Sequence, residues 1–398
     1  MISAESLTTV RATASVVAGA LDDITPKFYR SLFTAHPELG RNLFNRSNQA
    51  NGDQARALAA SIVAFAELLL EDNGDRYGVV LDRVAHKHAS LGVVADQYPV
   101  VYEHLFSAIA DSLGEAATPA VVQAWTELYW LMAHELITRE RELYTSAGVA
   151  AGDIWRQARV TARSLESADV VSLELAPLNG KFPDFLPGQY ISVQVQLADG
   201  ARQSRQYSLA HSSSQGSWRI AVKRLPGDGA IPAGEVSNFI YENVFEGDEL
   251  RISIPAGELT LDESGRPLLL ISAGIGCTPM LGMLHHLVAE QSTRDIRVLH
   301  ADRAMSSHPY RHELTSLVDR LPNARLHSWY TTLQKDRVGA TAGRMILGEQ
   351  IAVDQQSVAF ICGPRPFIRH VADALALKGV AAEDIRYELF GPPLLAKL

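Results

Sequence analysis

Leu268-Leu269-Leu270-Ile271-Ser272-Ala273-Gly274-Ile275-Gly276-Cys277-Thr278-Pro279 reads as a short apolar strand running through a glycine turn into a helix. The continuous apolar run suits a strand buried on both faces. Two glycines let backbone approach a ligand closely, and Thr278 and Pro279 are expected to cap and open the helix. Two further apolar strands follow, Ile296 to His300 and Val358 to Cys362, alternating with helical patterns. Residues 263–398 are therefore expected to form an α/β domain with a parallel sheet. The turn is not the standard G-x-G-x-x-G fingerprint, so a dinucleotide does not follow from it alone.

Upstream the texture changes. Period-two runs at Tyr190 to Leu197 and Trp218 to Val222 lie between Gly- and Pro-containing turns, which predicts an antiparallel β-barrel over 153–262. Residues 1–145 carry helical periodicity almost throughout and predict an all-α domain. The small, uncharged stretch from Thr145 to Gly152 fits a short linker better than a packed element. Three domains agree with a length of 398 residues at about 150 per domain.

Hydrophobic residues make up 47% and charged residues 20%, an ordinary globular balance that argues against disorder. A net charge of −9 gives no reason to expect nucleic acid or an anionic membrane surface as a partner. Cys277 and Cys362 are too far apart and too few for a disulfide framework, which points to a reducing, cytoplasmic setting. Neither a leader pattern nor a run of about 20 apolar residues is expected to place the chain in a membrane. No obligate protein partner is evident.

In the helical region, Leu58, Ile62, Phe65 and Leu69 share a face that begins one turn earlier with Gln54. A second helix, with Thr118 as N-cap and Pro119 at its first position, carries Trp125, Tyr129, Met132 and Leu136 and continues to Glu140. A carboxylate extending a buried face needs a partner. Spacing alone leaves the alternative equally open: Glu140 solvated beyond the buried face, and His88 an ordinary surface histidine.

Phe28-Tyr29, Phe44 to Gln49, Asn51 to Gln54, Leu58, Lys87-His88, Gln97-Tyr98 and Arg139-Glu140 resemble the globin domain of bacterial flavohaemoglobins. The resemblance implies that His88 is the proximal iron ligand of haem b, backed by Tyr98 and Glu140. It implies that Tyr29 and Gln54 lie over the iron, with Leu58 restricting the pocket and Phe44 packing on the porphyrin. Lys87 joins the cofactor-binding set, and His86, on the opposite helix face, is the weaker candidate ligand.

Arg205-Gln206-Tyr207-Ser208 resembles the flavin motif of the ferredoxin-reductase-like superfamily. Arg205 is then the partner of the FAD diphosphate, Tyr207 packs on the flavin system and Ser208 reaches the reactive edge. Tyr190 upstream, Val222 and Lys223, and the turn Gly234, Val236 and Ser237 complete the implied FAD site. The Gly274-x-Gly276-x-Thr278-Pro279 pattern and Cys362-Gly363 resemble the superfamily's nicotinamide elements, with Cys277 standing where glutamine is expected. At the end of the chain, Glu388, Phe390, Gly391 and Pro392 match the family ending, Phe390 covering the flavin and Glu388 lying between flavin and haem.

The implied activity is that of a nitric oxide dioxygenase, oxidising NO with O2 to nitrate at a haem re-reduced by NAD(P)H through FAD. Two alternatives remain: a flavin reductase with another acceptor, such as ferric iron or a quinone, or an oxygen store or sensor kept ferrous by its reductase. Asp302 and Arg303 favour opposite answers between NADH and NADPH.

Overall fold

A computed structural model describes residues 2–46, 53–70, 74–211, 216–227, 232–349 and 351–390, without the side chains of 53–60, 68 and 74–77. Its helical part comprises α1 (Ala4–Gly19), α2 (Leu21–Ala35), α3 (Pro37–Asn42), α4 (Asp53–Leu70), α5 (Gly74–Ala89), α6 (Gln97–Leu113) and α7 (Pro119–Ser146). Thr118 caps α7 as expected, accepting from Val121 N–H at 3.4 Å, with Pro119 at the first position. One stripe of α7, from Trp125 through Tyr129, Met132 and Leu136 to Glu140, is buried in the helical core. Burying that stripe is what holds a helix of this length against its neighbours.

The second part is a six-stranded antiparallel sheet built from β1 (Trp155–Ser167), β2 (Val170–Pro177), β3 (Tyr190–Gln196), β4 (Arg202–Ser208), β5 (Trp218–Lys223) and β6 (Glu249–Ser253). Its order is β4-β3-β6-β1-β2-β5, and Ala210 N–H donates to the Arg219 carbonyl at 2.8 Å, drawing the outer strands together. A helix, α8 (Glu235–Asn243), packs Val236 and Ile240 into the barrel core.

The third part is a parallel sheet of order β10-β9-β8-β7-β11-β12, from β7 (Leu268–Ala273), β8 (Ile296–Asp302), β9 (Ala324–Tyr330), β10 (Ala340–Ala342), β11 (Val358–Cys362) and β12 (Ile385–Glu388). Helices α9 (Cys277–Ala289), α10 (Arg311–Asp319) and α11 (Arg365–Leu377) connect the strands. The three strands read from sequence are the central ones. Chain order reverses direction between β7 and β11, which places the glycine turn after β7 and Cys362-Gly363 side by side at a topological switch point.

The stretch after α7 contains no helix or strand up to β1. It is nonetheless packed: Val149 and Trp155 join Tyr144, Ala89, Ile154 and Ile254 in one apolar cluster shared by the helical part and the barrel. One expectation needs correction. Helix α9 begins at Cys277 after a single tight turn, Gly274–Gly276, so Thr278 is not its cap. The Thr278 hydroxyl instead donates back to the Ile275 carbonyl at 3.0 Å.

Candidate functional site

His88 lies in the last turn of α5 and Glu140 on the buried stripe of α7. The His88 Nδ1 is 2.8 Å from Glu140 Oε1 and 3.1 Å from the Tyr98 hydroxyl, which donates to the same carboxylate oxygen at 2.5 Å. Glu140 is 2% exposed, so its charge is held by these two partners rather than by water. Burial and the neighbouring carboxylate push the Tyr98 phenol upward, keeping it a donor. With Nδ1 engaged, Nε2 is the ring nitrogen left to bind a metal, which is the donor set a haem iron requires. The alternative of a solvated Glu140 and an unengaged histidine does not hold.

In the same helical core, Tyr29 packs edge-on against Phe44 (5.7 Å between ring centroids) and tilted against Phe33 (5.3 Å). Burial pushes the Tyr29 phenol above its usual range, so it stays protonated and able to donate. The side chains of Gln54 and Leu58 lie outside the described residues. His86 points away from His88's partners: its Nδ1 accepts from Gly257 N–H of the barrel at 3.0 Å.

Lys87, between the two histidines, reaches the barrel and donates to Gln206 Oε1, while Gln206 Nε2 donates to Ser192 Oγ at 2.8 Å. Burial drives the Lys87 ammonium down to about 8, Arg205 acting in the same direction and Glu388 opposing. Burial and Glu258 push Glu388 up to about 8 against the pull of Lys87 and Arg83. Glu388 ends β12 directly beside Cys362 of β11, and its Oε2 is buried without a partner among the described residues. Tyr190 is buried in the same junction.

Along β4, the Tyr207 hydroxyl and Ser208 Oγ are likewise buried without a described partner, orphaned polar atoms of the kind a bound flavin satisfies. Gly234 precedes α8, and a Cβ there would stand 2.5 Å from Ser237 Oγ and 3.1 Å from Leu225 Cβ, so a larger residue would crowd the helix start. Val236 and Ser237 form that helix's buried first turn; Val222 lies in the barrel core, and Lys223 pairs with Asp169 at 3.4 Å.

At the switch point a Cβ on Gly276 would meet the Cys362 carbonyl oxygen at 2.4 Å and Gly363 N at 3.0 Å. The two elements read as nicotinamide-binding are thus in direct backbone contact. Cys277 turns its thiol into the domain core, 3.8 Å from the Pro309 carbonyl, and burial pushes that thiol up. Asp302 turns inward to Arg303 N–H and Ser307 Oγ, both at 2.6 Å, whereas the Arg303 side chain is 71% exposed. Phe390 is 47% exposed at the end of the described chain, and Gly391 and Pro392 lie outside it.

Several contacts were not legible as site residues. Arg83, one helical turn before Lys87, donates to Glu258 Oε1 at 2.7 Å and covers the Tyr387 ring at 4.7 Å. Its spacing from Lys87 was the available signal. Asn45 and Arg46 lie within the stretch that carries the globin resemblance, but nothing there pointed to the barrel, and Gln203 carried no signal.

These parts define a haem globin joined to a flavin- and nicotinamide-dependent oxidoreductase. Residues 26–136 match the globin family, 157–261 the oxidoreductase FAD-binding domain and 270–373 the oxidoreductase NAD-binding domain. The chain is 40% identical to a flavohemoprotein of Bordetella pertussis, over 98% of this chain and 99% of the relative. It superimposes on the flavohemoglobin of Malassezia yamatoensis, determined with bound FAD and heme, with a TM-score of 0.90 and 37% identity, covering 98% of this chain and 100% of that one. The FAD/NAD-binding domain of a nitric oxide dioxygenase from Vibrio cholerae matches 60% of this chain and 99% of its own at 34% identity and a TM-score of 0.56. The chain belongs to the flavohemoprotein family, and its cofactors are haem, FAD and NAD(P)H.

Proposed function

We propose that this chain is a nitric oxide dioxygenase, converting NO and O2 to nitrate at the expense of NAD(P)H. When bound, haem supplies an oxygen-binding iron, NAD(P)H a hydride, and FAD the conversion of two electrons into single ones.

The chain's residues divide the remaining work. His88 offers Nε2 to the metal, and Glu140, accepting at Nδ1, makes the imidazole a stronger donor. Tyr98 fixes the carboxylate and completes its hydrogen bonding. Tyr29, neutral and buried, donates from the distal side, with Phe44 and Phe33 excluding water around it. Gln54 and Leu58 stand in the same pocket on the resemblance stated above. Arg205 takes the FAD diphosphate in its planar fork, Tyr207 and Ser208 meet the flavin, and the start of α8 supplies amides. Gly274, Gly276, Thr278, Pro279, Cys362 and Gly363 form the nicotinamide cradle. Lys87 and Glu388, buried near one another at the junction of globin and barrel, would be the charged groups nearest the bound flavin, and Phe390 would pack on it, as the resemblance implies.

The observation that carries this reading is the buried Glu140 on His88. A carboxylate strengthening the proximal ligand suits activation of oxygen more than its reversible storage. The kinship to a protein named as a nitric oxide dioxygenase supports the same choice. Both cysteines are buried and unbridged, in keeping with work in the cytoplasm. The test is aerobic consumption of NO coupled to NADH or NADPH oxidation, with nitrate counted. One nitrate per NO over many turnovers per haem is expected; a single turnover, or nicotinamide oxidation without nitrate, would overturn it.

A further inference from the structure

Residues 41–46 of the globin domain lie along β4 of the barrel. Gln203, 1% exposed, spends its whole amide there: Oε1 accepts from Arg46 N–H (3.2 Å), and Nε2 donates to the carbonyls of Arg41 (3.0 Å) and Phe44 (3.1 Å). Arg202 N–H adds a bond to Asn42 Oδ1 at 3.2 Å. A buried amide satisfied so fully fixes the segment on the strand.

The next two side chains point to the flavin motif. Asn45 Oδ1 accepts from Arg205 Nη2 at 2.5 Å, while Arg205 Nη1 donates to the Ser204 carbonyl at 2.7 Å. Two of the guanidinium's five N–H groups are thus used among the described residues, and the rest are left for an anion. Arg46 Nη2 donates to Glu235 Oε1 at 2.8 Å, with Asp199 at its other end. Glu235 is the first residue of α8, so its carboxylate stands beside the amides read above as a phosphate seat. An unneutralised carboxylate there would repel a diphosphate.

We propose that the globin domain completes the flavin site: Asn45 is a positioning residue that fixes the Arg205 guanidinium for the FAD diphosphate, and Arg46 cancels the charge of Glu235. The proposal rests on the reading of Arg205 as the diphosphate ligand. An anchored arginine loses less side-chain freedom on binding than a free one, so the anchor appears as FAD affinity.

The experiment uses the full-length, haem-loaded chain stripped of FAD, with FAD binding followed by flavin fluorescence. The Soret band of the carbon monoxide complex reports that the globin is intact in each variant. Asn45→Ala and Arg46→Ala are each expected to weaken FAD about tenfold. Adding Glu235→Gln to Arg46→Ala is expected to restore most of that loss, because the charge needing neutralisation is gone. Arg205→Ala is expected to lose the most. If Asn45→Ala and Arg46→Ala bind FAD like wild type while Arg205→Ala does not, the globin contributes nothing and the proposal falls. If Arg46→Ala is weak and Glu235→Gln leaves it so, charge cancellation is refuted. Wild-type affinity in Arg205→Ala would instead refute the diphosphate assignment, and the proposal with it.

Discussion

His88 and Glu140, 52 positions apart in the chain, meet at 2.8 Å, and Tyr98 locks the same carboxylate oxygen from the side. The orientation of the ring is thereby set by a carboxylate that is itself buried.

Glu140→Gln keeps the shape and removes the charge. The iron–histidine stretch of the ferrous, ligand-free protein is expected at lower frequency by resonance Raman, and NO turnover should fall about tenfold or more. An unshifted band would show that the two side chains are not electronically coupled.

Tyr29→Phe removes a hydroxyl that burial keeps protonated. Oxygen dissociation, followed by stopped flow, should quicken about tenfold, while ferricyanide reduction at the flavin is unaltered. An unchanged off-rate would remove Tyr29 from the distal pocket.

Gly276→Ala forces a Cβ against the Cys362 carbonyl and Gly363 N. The switch-point backbone must then open, and KM for the nicotinamide should rise about tenfold or more with FAD content and Soret spectrum unaltered. Wild-type kinetics would place the nucleotide elsewhere.

The rings of His300 and His308 stack at 3.6 Å in the α/β domain. Burial keeps both neutral, His308 down to about 2, and for His300 it outweighs Asp302 at 3.6 Å, so that contact is not an ion pair. An unfolded chain's histidines charge near 6.5, so below that pH the unfolded state binds protons the folded state refuses, and stability falls as pH falls. For His308 the slope approaches about 1.4 kcal/mol per pH unit below that point, and His300 acts in the same direction. Protection factors for amide exchange in β8 and β9 should drop between pH 7.5 and 5.5, and less so in His308→Gln. Equal pH dependence in that variant would count against the mechanism.

Much of this was legible because apolar periodicity is local. The α7 stripe, the barrel runs and the central strands β7, β8 and β11 all announce themselves within a few residues. Strand β12 does not: Ile385-Arg386-Tyr387-Glu388 is half-buried throughout and mixed in polarity. Thr278 misled as a cap because one tight turn moves the start of α9. Glu140 was legible as a carboxylate in need of a partner, and the resemblance named His88. The Asn45, Arg46 and Gln203 contacts were not legible, since each polar partner lies more than a hundred residues away and no spacing encodes it.

Strand β4 carries Gln203, Arg205 and Tyr207 on one face and Gln206 and Ser208 on the other. A single inserted or deleted residue there would turn every side chain on one side of the change to the opposite face. A substitution in this strand keeps the frame, whereas a change of length breaks it. The joint between the globin domain and the flavin strand is therefore set by the register of β4 as much as by the identity of its side chains.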